Sequence, residues 1–594
     1  MALSITFQGQ TIYRAGAYSL TRVSDSATSL AQLGVVALIG EAEEGEQIAA
    51  TTSVDAVTFT PDQFGSIVEK FGSGYLVDNA KLAINPSNDA DIFGGAQTII
   101  CLKTNASTRA SLALASSYGT VYAKKYGAPG NLTSVTITGA STTRVITLER
   151  ADLGITEVGT VGNVAVLTIQ NTDAGSSAGV MSITATHITT TITGGSSSNL
   201  SLRKADFATI QDVVNYINTF TNYTASVATA AEAQSSPDVL DRVTGVDIKT
   251  AAYTVKRDAY DVAQFFAESQ LVTFTQTTYA GLPAAVAKTF MSGGAKGATT
   301  NAHVQTALDF LKKTNANFVV PLFSRDATSD ITDGLTDASS TYTFDSITAA
   351  LRSHLIEMGN IKGRKERQGF VGFDGTFANA KIKAAAIASG LIALNFQRVD
   401  AVGASGSLAT QKPHTTAAMI AGMMAGSVVG LSPLYKSVNI SGISTAASDF
   451  DPDADGESAI KANLMFLEKD PNGGFRVGNF ASTYGRTDRN WYWSRPAVVY
   501  ASFVASRSIR LNLEAFIGKR NSDVSPTSVE NFLSTVCDSL RASGILVATA
   551  ANKGRGYTAI SARLEGNVYR VSVTLTLVEA VEFVLADLTV VRAS

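Results

Sequence analysis

VQTALDFLKKTNANFVVPLF, residues 304–323, holds a helix and the strand it feeds. Val304, Ala307, Leu308 and Leu311 recur at spacings of three and four, which predicts one apolar helix face. FVVPLF (318–323) is a short continuous apolar run, the pattern of a strand buried on both faces. The rhythm repeats downstream. Ile347, Leu351, Leu355 and Met358 mark a helix stopped by Gly359 and followed by QGFVGF (368–373). Residues 377–389 form another, stopped at Gly390 and running into LIALNF (391–396). Helix alternating with buried strand predicts a mostly parallel α/β sheet.

Upstream, GVVALIGEAEEGE (34–46) and QTIICLK (97–103) read as two more buried strands, the first ending in an acidic loop. Between these runs and the block at 304 the texture changes. SVTIT (134–138), RVITL (144–148), VAVLTI (164–169), MSITAT (181–186) and ITTTI (188–192) alternate with turn clusters such as GAPGN, NTDAGSSAG and GGSSSN. Strands at that spacing predict a small β-rich domain inserted into the α/β core. Within it Asp206 is placed to cap a helix with Phe207, Ile210, Val214 and Ile217 on one face.

Both ends of the chain are strand-prone. From Val568, residues Tyr569, Val571, Val573, Leu575 and Leu577 alternate with Arg570, Ser572, Thr574 and Thr576. That is the period of a half-buried strand. A second extended run, 583–591, follows, and SITFQGQTIYRAGAYS (4–19) is similar in texture. Apolar strand-forming ends suggest completion by another chain through strand addition. Ahead of the C-terminal strands, Ser525-Pro526 opens a helix with Val529, Phe532, Leu533, Val536 and Leu540 on its buried face, ended by Gly544.

At 594 residues the chain needs several domains. Charged residues make up 16% and the net charge is −3, which gives no electrostatic case for nucleic acid. The only two cysteines, Cys101 and Cys537, lack metal-ligand spacing and are expected to be buried thiols. No basic leader precedes an apolar stretch, so no secretory signal is expected. The uncharged run 413–435 contains Gly422, Gly426, Gly430 and Pro433. Its helical part, 416–429, falls short of the ~20 residues a membrane span needs, so a buried core helix capped near Thr415 or Thr416 is expected.

Chemistry-bearing motifs are few. SGGAKGATTN (292–301) precedes a helix and could cradle a phosphate, but it fits no nucleotide-loop pattern and a plain glycine-rich entry loop is favoured. DFDPDADGE (449–457) imitates the start of a calcium loop, but the twelfth position is Ala462, so a solvated acidic loop is favoured. Of His187, His303, His354 and His414, His354 sits on an apolar helix stripe, where a packed histidine is commoner than a catalytic one. Lys362, Arg364, Lys365 and Arg367 form a basic run, either a solvated turn or a patch for a protein partner.

In their order along the chain these segments resemble the tail sheath proteins of contractile-tailed bacteriophages and related injection machines. The resemblance rests on IYRAGAYS (12–19) followed by GVVALIGEAEEGE, on YGAPGNLTSVTI (126–137), and on FMSGGAKG (290–297) with FVVP. It continues through residues 475–519, which end in FIGK, and LVEAVEFVLADLTV (577–590). Ala15 stands where family arms often carry proline, and 138–279 has no recognised counterpart. The implied fold class is multidomain α/β: a core assembled from N-terminal and C-terminal parts, an inserted β-rich domain, and extended terminal strand arms. The expected boundaries are 1–30 for the N-terminal arm, 31–118 with 282–475 for the core, and 119–281 for the inserted outer domain. A tube-proximal domain at 476–578 and a C-terminal arm at 579–594 complete them.

The implied function is structural: a helical homo-oligomer joined by strand exchange, contracting from a metastable extended state around a tail tube. Implied partners are the tube, baseplate and tail terminator proteins, with no nucleic acid, no membrane insertion, no cofactor and no enzymatic activity. The implied location is the virion, after assembly in the host cytoplasm. The expected arm contacts are Ile5, Phe7, Ile12, Tyr13, Phe583, Leu585, Leu588 and Val590. The candidate tube-facing residues are Glu530, Asn531, Ser534, Asp538 and Arg541. Two other classes stay open: an α/β enzyme with an inserted domain and a phosphate loop at 292–301, and another self-assembling shell or tail component.

Overall fold

The computed structural model describes residues 5–7, 10–12, 33–485, 491–520 and 522–581. The chain divides into two compact units, residues 33–499 and residues 1–32 with 500–594.

The larger unit is built on a six-stranded sheet in the order Ile392–Asn395, Gln368–Gly372, Phe318–Pro321, Val35–Gly40, Thr98–Lys103, Thr58–Phe59. All neighbours are parallel except the last pair. An N-terminal strand thus lies between Thr98–Lys103 and a strand more than two hundred residues later in the chain. Val35, Ala37 and Ile39 face a core shared with helices Asn301–Leu311, Phe344–Gly359 and Phe377–Ile387. Val36 and Leu38, also fully buried, face the other way. Burial on both faces is why these strands read as unbroken apolar runs.

Threonine starts each of the three helices. Thr300, Thr343 and Thr376 accept from the backbone N–H groups of His303, Ser346 and Asn379. The last of these helices ends earlier than Gly390 suggested, because Ala388 takes a left-handed conformation at φ 40°. In the inserted region the cap of helix Ile210–Ile217 is Thr209, paired reciprocally with Asp212, rather than Asp206.

The run at 413–435 is a core helix, Pro413–Gly426, and all fourteen of its residues are buried. It begins earlier than expected because Pro413 suits the first helical position. No helix among the described residues is long and apolar enough to cross a membrane. Glycines set how close this helix lies to its neighbours. A Cβ on Gly422 would meet the Ala83 carbonyl oxygen at 2.3 Å, and one on Gly372 would meet the His414 nitrogen at 2.1 Å.

The β-rich region forms four small antiparallel sheets around two cores, one centred on Val166, Ile169 and Val255, the other on Val121, Ile146 and Phe266. It reaches back past Gly119, because Arg109–Leu114 pairs with Gly119–Tyr126 through a turn in which Ser116 and Ser117 have positive φ. RASLAL contains no β-branched residue, so its strand character is invisible locally. At the far side the region extends to Val286–Phe290, which pairs with Ser134–Thr138.

In the smaller unit, Ile5–Phe7 pairs antiparallel with Gln10–Ile12. Helix Pro526–Ala542 starts at Ser525 with a capping box and buries Val529, Leu533, Val536, Cys537 and Leu540. The hairpin Tyr557–Glu565 and Val568–Leu575 packs against it. Side-chain burial alternates along the second strand as its sequence predicts. Both cysteines are free and buried.

Gly372→Ala forces a methyl into the backbone at the start of the Pro413–Gly426 helix and should destabilise the subunit by about 3 kcal/mol. Gly65 lies on an exposed stretch of helix, and a Cβ added there would meet nothing within 4 Å, so Gly65→Ala should stabilise by about 0.5–1 kcal/mol. Denaturant midpoints of the two variants check both signs, and equal effects would contradict the packing described.

Candidate functional site

The loop 292–301 lies by the carboxyl ends of strands Val35–Gly40 and Thr98–Lys103, where open α/β sheets bind ligands. Its lysine is already engaged. Lys296 Nζ is 3.0 Å from Glu43 Oε1 and 3.4 Å from Glu41 Oε2, and it donates to the Leu335 carbonyl at 2.9 Å. Burial works against its charge, but Glu41 and Glu43 outweigh burial and hold its pKa above the ordinary value. At the helix start the Thr300 hydroxyl takes the His303 N–H, and the Ser340 hydroxyl takes that of Thr299. A phosphate would have to displace two carboxylates and compete with these caps. The phosphate-cradle alternative therefore finds no support here, and the loop fits the plain entry loop favoured from its sequence.

The loop instead acts as a clamp. Fully buried Asn105 accepts from Ala42 N–H at 3.1 Å and donates to the Ala42 and Lys296 carbonyls at 2.9 and 2.7 Å. One side chain thus ties the outgoing segment after Lys103 to the returning segment and to the acidic loop. Beside it, Lys103 is 1% exposed and donates to Asn105 O at 2.7 Å and Ser107 Oγ at 2.5 Å. Burial pushes its pKa down to about 7.

The acidic stretch at 449–457 forms no calcium loop, because Pro452–Lys461 is a helix. Asp451 caps it, accepting from Asp453 N–H at 3.0 Å, and Asp455 reaches back to Asp451 N–H. Among the described residues no group of three or more His, Cys, Asp or Glu side chains is placed to hold a metal ion.

One constellation had no local signal. Ser324 Oγ and His414 Nδ1 are 2.9 Å apart, and Asp374 lies at the end of the neighbouring strand. The pieces of an acyl-transfer triad are near one another but not connected. The Asp374 oxygens are taken by Arg398 at 2.7 and 2.9 Å and by Lys412 at 3.0 Å. Ser324 and His414 are both buried, the Tyr75 ring stands edge-on to the imidazole at 4.7 Å, and burial pushes His414 down to about 3. The arrangement packs a neutral histidine. His354 is likewise pushed down to about 3 by burial, with its Nε2 3.2 Å from Arg367.

Arg367 also changes the reading of the basic run. It is 1% exposed and donates to the Leu311, Thr314 and Lys365 carbonyls, closing the end of the Asn301–Leu311 helix. Lys365 donates to the Lys312 carbonyl, which leaves only Lys362 and Arg364 exposed on this run.

Of the expected arm contacts, Ile5, Phe7 and Ile12 lie on the short N-terminal strand pair. Tyr13, Phe583, Leu585, Leu588 and Val590 fall outside the described residues. Three of the candidate tube-facing residues engage their own unit. Glu530 accepts from Ala562 N–H at 2.8 Å, on the outer edge of the Tyr557–Glu565 strand. Asp538 lies 3.4 Å from the Tyr557 hydroxyl and 3.5 Å from Arg541, which itself donates to Gly554 O. Asn531 is exposed and Ser534 half-buried. The helix turns part of its polar face toward the hairpin, which a helical period alone does not reveal.

That hairpin is incomplete. It has two strands, and among the described residues none pairs with the outer edge of Val568–Leu575, apart from a single bridge, Leu546 with Leu577, just past its end. Two-stranded sheets are marginal in water. A cleft of about 530 Å³ lies beside it, lined by Phe516, Ile517, Val524, Leu564, Val568 and Tyr569.

No protein-family model matches the chain. It is 25% identical over 611 aligned residues to the tail sheath protein of Bacillus phage SP01, across 98% of this chain and 96% of that one. That alignment includes the stretch 138–279 that carried no recognisable motif. Among solved structures, the sheath tail protein from Desulfitobacterium hafniense matches with a TM-score of 0.50 at 13% identity, over 95% of this chain and 100% of its own. The sheath tail protein from Listeria innocua matches with a TM-score of 0.50 at 14% identity, over 92% and 93% of the two chains. The fold is that of these sheath tail proteins.

Lys103 generates a pH prediction. Its folded pKa lies below its ordinary 10.5, so between about pH 7 and 10.5 the unfolded chain binds the extra proton and stability rises with pH. The denaturant midpoint of the parent should climb across this window relative to Lys103→Met, by up to about 1.4 kcal/mol per pH unit. Parallel pH profiles for the two proteins would contradict the lowered Lys103 pKa that burial imposes at this seam.

Proposed function

We infer that this chain, a relative of the tail sheath proteins that carries their fold, is the structural subunit of a contractile phage tail sheath. Copies polymerise into a helical tube around the inner tail tube and contract from a metastable extended state, driving that tube through the host envelope. The observation that carries the reading is the open two-stranded hairpin in the C-terminal unit, on a chain whose ends are both strand-forming. Strands lent by neighbouring copies complete such a sheet, and contacts of this head-to-tail kind do not close on themselves, which a helical polymer requires. The occupied state of Lys296 and the buried, unrelayed Ser324–His414 pair support a structural role over an enzymatic one.

The division into arms, core, inserted domain and C-terminal domain at the boundaries given above is part of this proposal, with the inserted β-rich domain facing outward. So are the partners: the tube, baseplate and tail terminator proteins, with assembly in the host cytoplasm before incorporation into the virion tail. On the Pro526–Ala542 helix, Asn531 and Ser534 are the residues proposed to meet the tube, while Glu530, Asp538 and Arg541 chiefly hold the hairpin.

Deleting 579–594 should leave a folded, soluble subunit that forms no tubes, read by circular dichroism and negative-stain microscopy. Normal tubes from the truncated chain would remove strand exchange from the model, and a misfolded monomer would place that strand in the subunit's own core. Purified tails should also contract irreversibly on warming with no nucleotide or divalent metal present, because the energy resides in subunit packing. Sheath length by microscopy, with and without nucleotide or chelator, checks this. Strict nucleotide dependence would instead point to an enzyme.

A further inference from the structure

A separate cavity of about 250 Å³ opens in the β-rich region, lined by residues that include Lys204, Asp238, Asp241, Arg242, Tyr260 and Tyr279. The sheath reading assigns it no role. Lys204 is only 4% exposed. Its backbone is satisfied, the N–H by Thr186 O at 2.8 Å and the carbonyl by Phe207 N–H at 3.1 Å. Its ammonium has no hydrogen-bond or ion-pair partner among the described residues. Burial pushes its pKa down, and the charges it feels are those of Asp238 and Arg242, both on the cavity wall. The ammonium therefore lies toward the cavity. The Lys204 side chain is buried while its ammonium keeps some solvent contact and has no direct partner among the described residues, and an anion entering the cavity offsets part of the cost of its burial.

Arg242 supplies a second cation. Its guanidinium lies over the Tyr279 ring, 3.6 Å from the centroid, and no carboxylate among the described residues pairs with it. Stacking holds the plane while its N–H groups stay available at the edge. Asp241 shares the cavity wall but makes an ion pair with neither cation among the described residues. It is 6% exposed, its oxygens accept from Ala259 and Gly281 N–H groups, both at 3.0 Å, and burial pushes its pKa up to about 6. Asp238 is exposed at the rim and makes no ion pair with Lys204.

The remaining polar groups suit hydroxyls. Gln276 also lines the cavity and gives its amide N–H to Ala259 O at 3.0 Å, which leaves its amide oxygen as an acceptor beside the Asp238 carboxylate. The volume is below that of a drug-sized site and matches one small ring, and tyrosine walls suit its apolar face. We propose that this cavity binds a single acidic sugar unit, a hexose-sized ring bearing a carboxylate or a phosphate. Lys204 and Arg242 take the acid group, and Gln276 and Asp238 take the hydroxyls.

Saturation-transfer NMR on the full-length chain at pH 7, with glucuronate, glucose 6-phosphate and glucose as separate probes and inorganic phosphate titrated as a competitor of the bound sugar, tests the proposal. At least one acidic sugar should bind saturably, and which of the two binds more tightly identifies the acid group. Glucose and inorganic phosphate should each bind about tenfold more weakly or worse, since each lacks half of the contacts. Lys204→Met should lose binding about tenfold or more, and Arg242→Gln should weaken it. Without ligand, Lys204→Met should melt no lower than the parent, because it removes an unpaired buried charge; a structural lysine would instead lower the melting temperature. Silence from both acidic sugars, or undiminished binding in both variants, would overturn the site. Equal binding of glucose would overturn its anionic character, and equal binding of inorganic phosphate would overturn the sugar.

Discussion

The architecture of the larger unit depends on one buried amide. A domain inserted into a parallel sheet must leave and return at neighbouring points, and both crossings expose backbone groups where water is excluded. Asn105 resolves this with three hydrogen bonds, to Ala42 N–H, Ala42 O and Lys296 O. Lys296 adds its ion pairs to Glu41 and Glu43 at the same seam. Unpaired buried polar groups cost about 1–3 kcal/mol each, so the seam is satisfied as a whole or fails as a whole. The carboxyl end of the sheet, where many α/β proteins bind ligands, is here given over to holding two segments of chain together.

The C-terminal unit has the opposite character. Among the described residues its hairpin leaves an edge open, and under the strand exchange proposed above the balance for filling it is near zero. Ordering ~15 arm residues costs roughly 15–30 kcal/mol. About eight ladder hydrogen bonds return roughly 4–12 kcal/mol. Burying Phe583, Val584, Leu585, Leu588, Val590 and Val591 adds about 9–18 kcal/mol. Under that proposal a single arm is marginal, and only several arms engaged at once favour assembly, which makes assembly cooperative.

Much of this was legible in the chain. Helix and strand periods at 304–396 located the α/β core because strands buried on both faces must be apolar throughout. Ser525-Pro526 and Gly544 marked helix ends because unpaired backbone groups there need specific residues, whereas the caps expected at Asp206 and at Thr415 or Thr416 fell elsewhere. Alternation from Tyr569 to Leu575 gave the strand because one side of a hairpin meets a helix and the other meets water. The same local logic missed Arg109–Leu114, whose small and unbranched residues are strand only because Gly119–Tyr126 pairs with them.

What the sequence by itself determined is therefore the kind of element each segment forms and the order of the elements, since propensity, period and capping act within a few residues. Only the tertiary structure decided what the charged and polar side chains do. Lys296 lies in a loop weighed as a phosphate cradle and is held by two carboxylates; Arg367 reads as surface charge and closes a buried helix end; Glu530 reads as an outward contact and caps a strand edge. Lys204 reads as nothing at all, yet stands buried in a cavity wall with no ion-pair partner among the described residues. The reason is physical: an apolar residue's fate follows from its neighbours in sequence, whereas a charge takes its role from whichever partner the fold brings within a few ångströms, often from a hundred or more residues away.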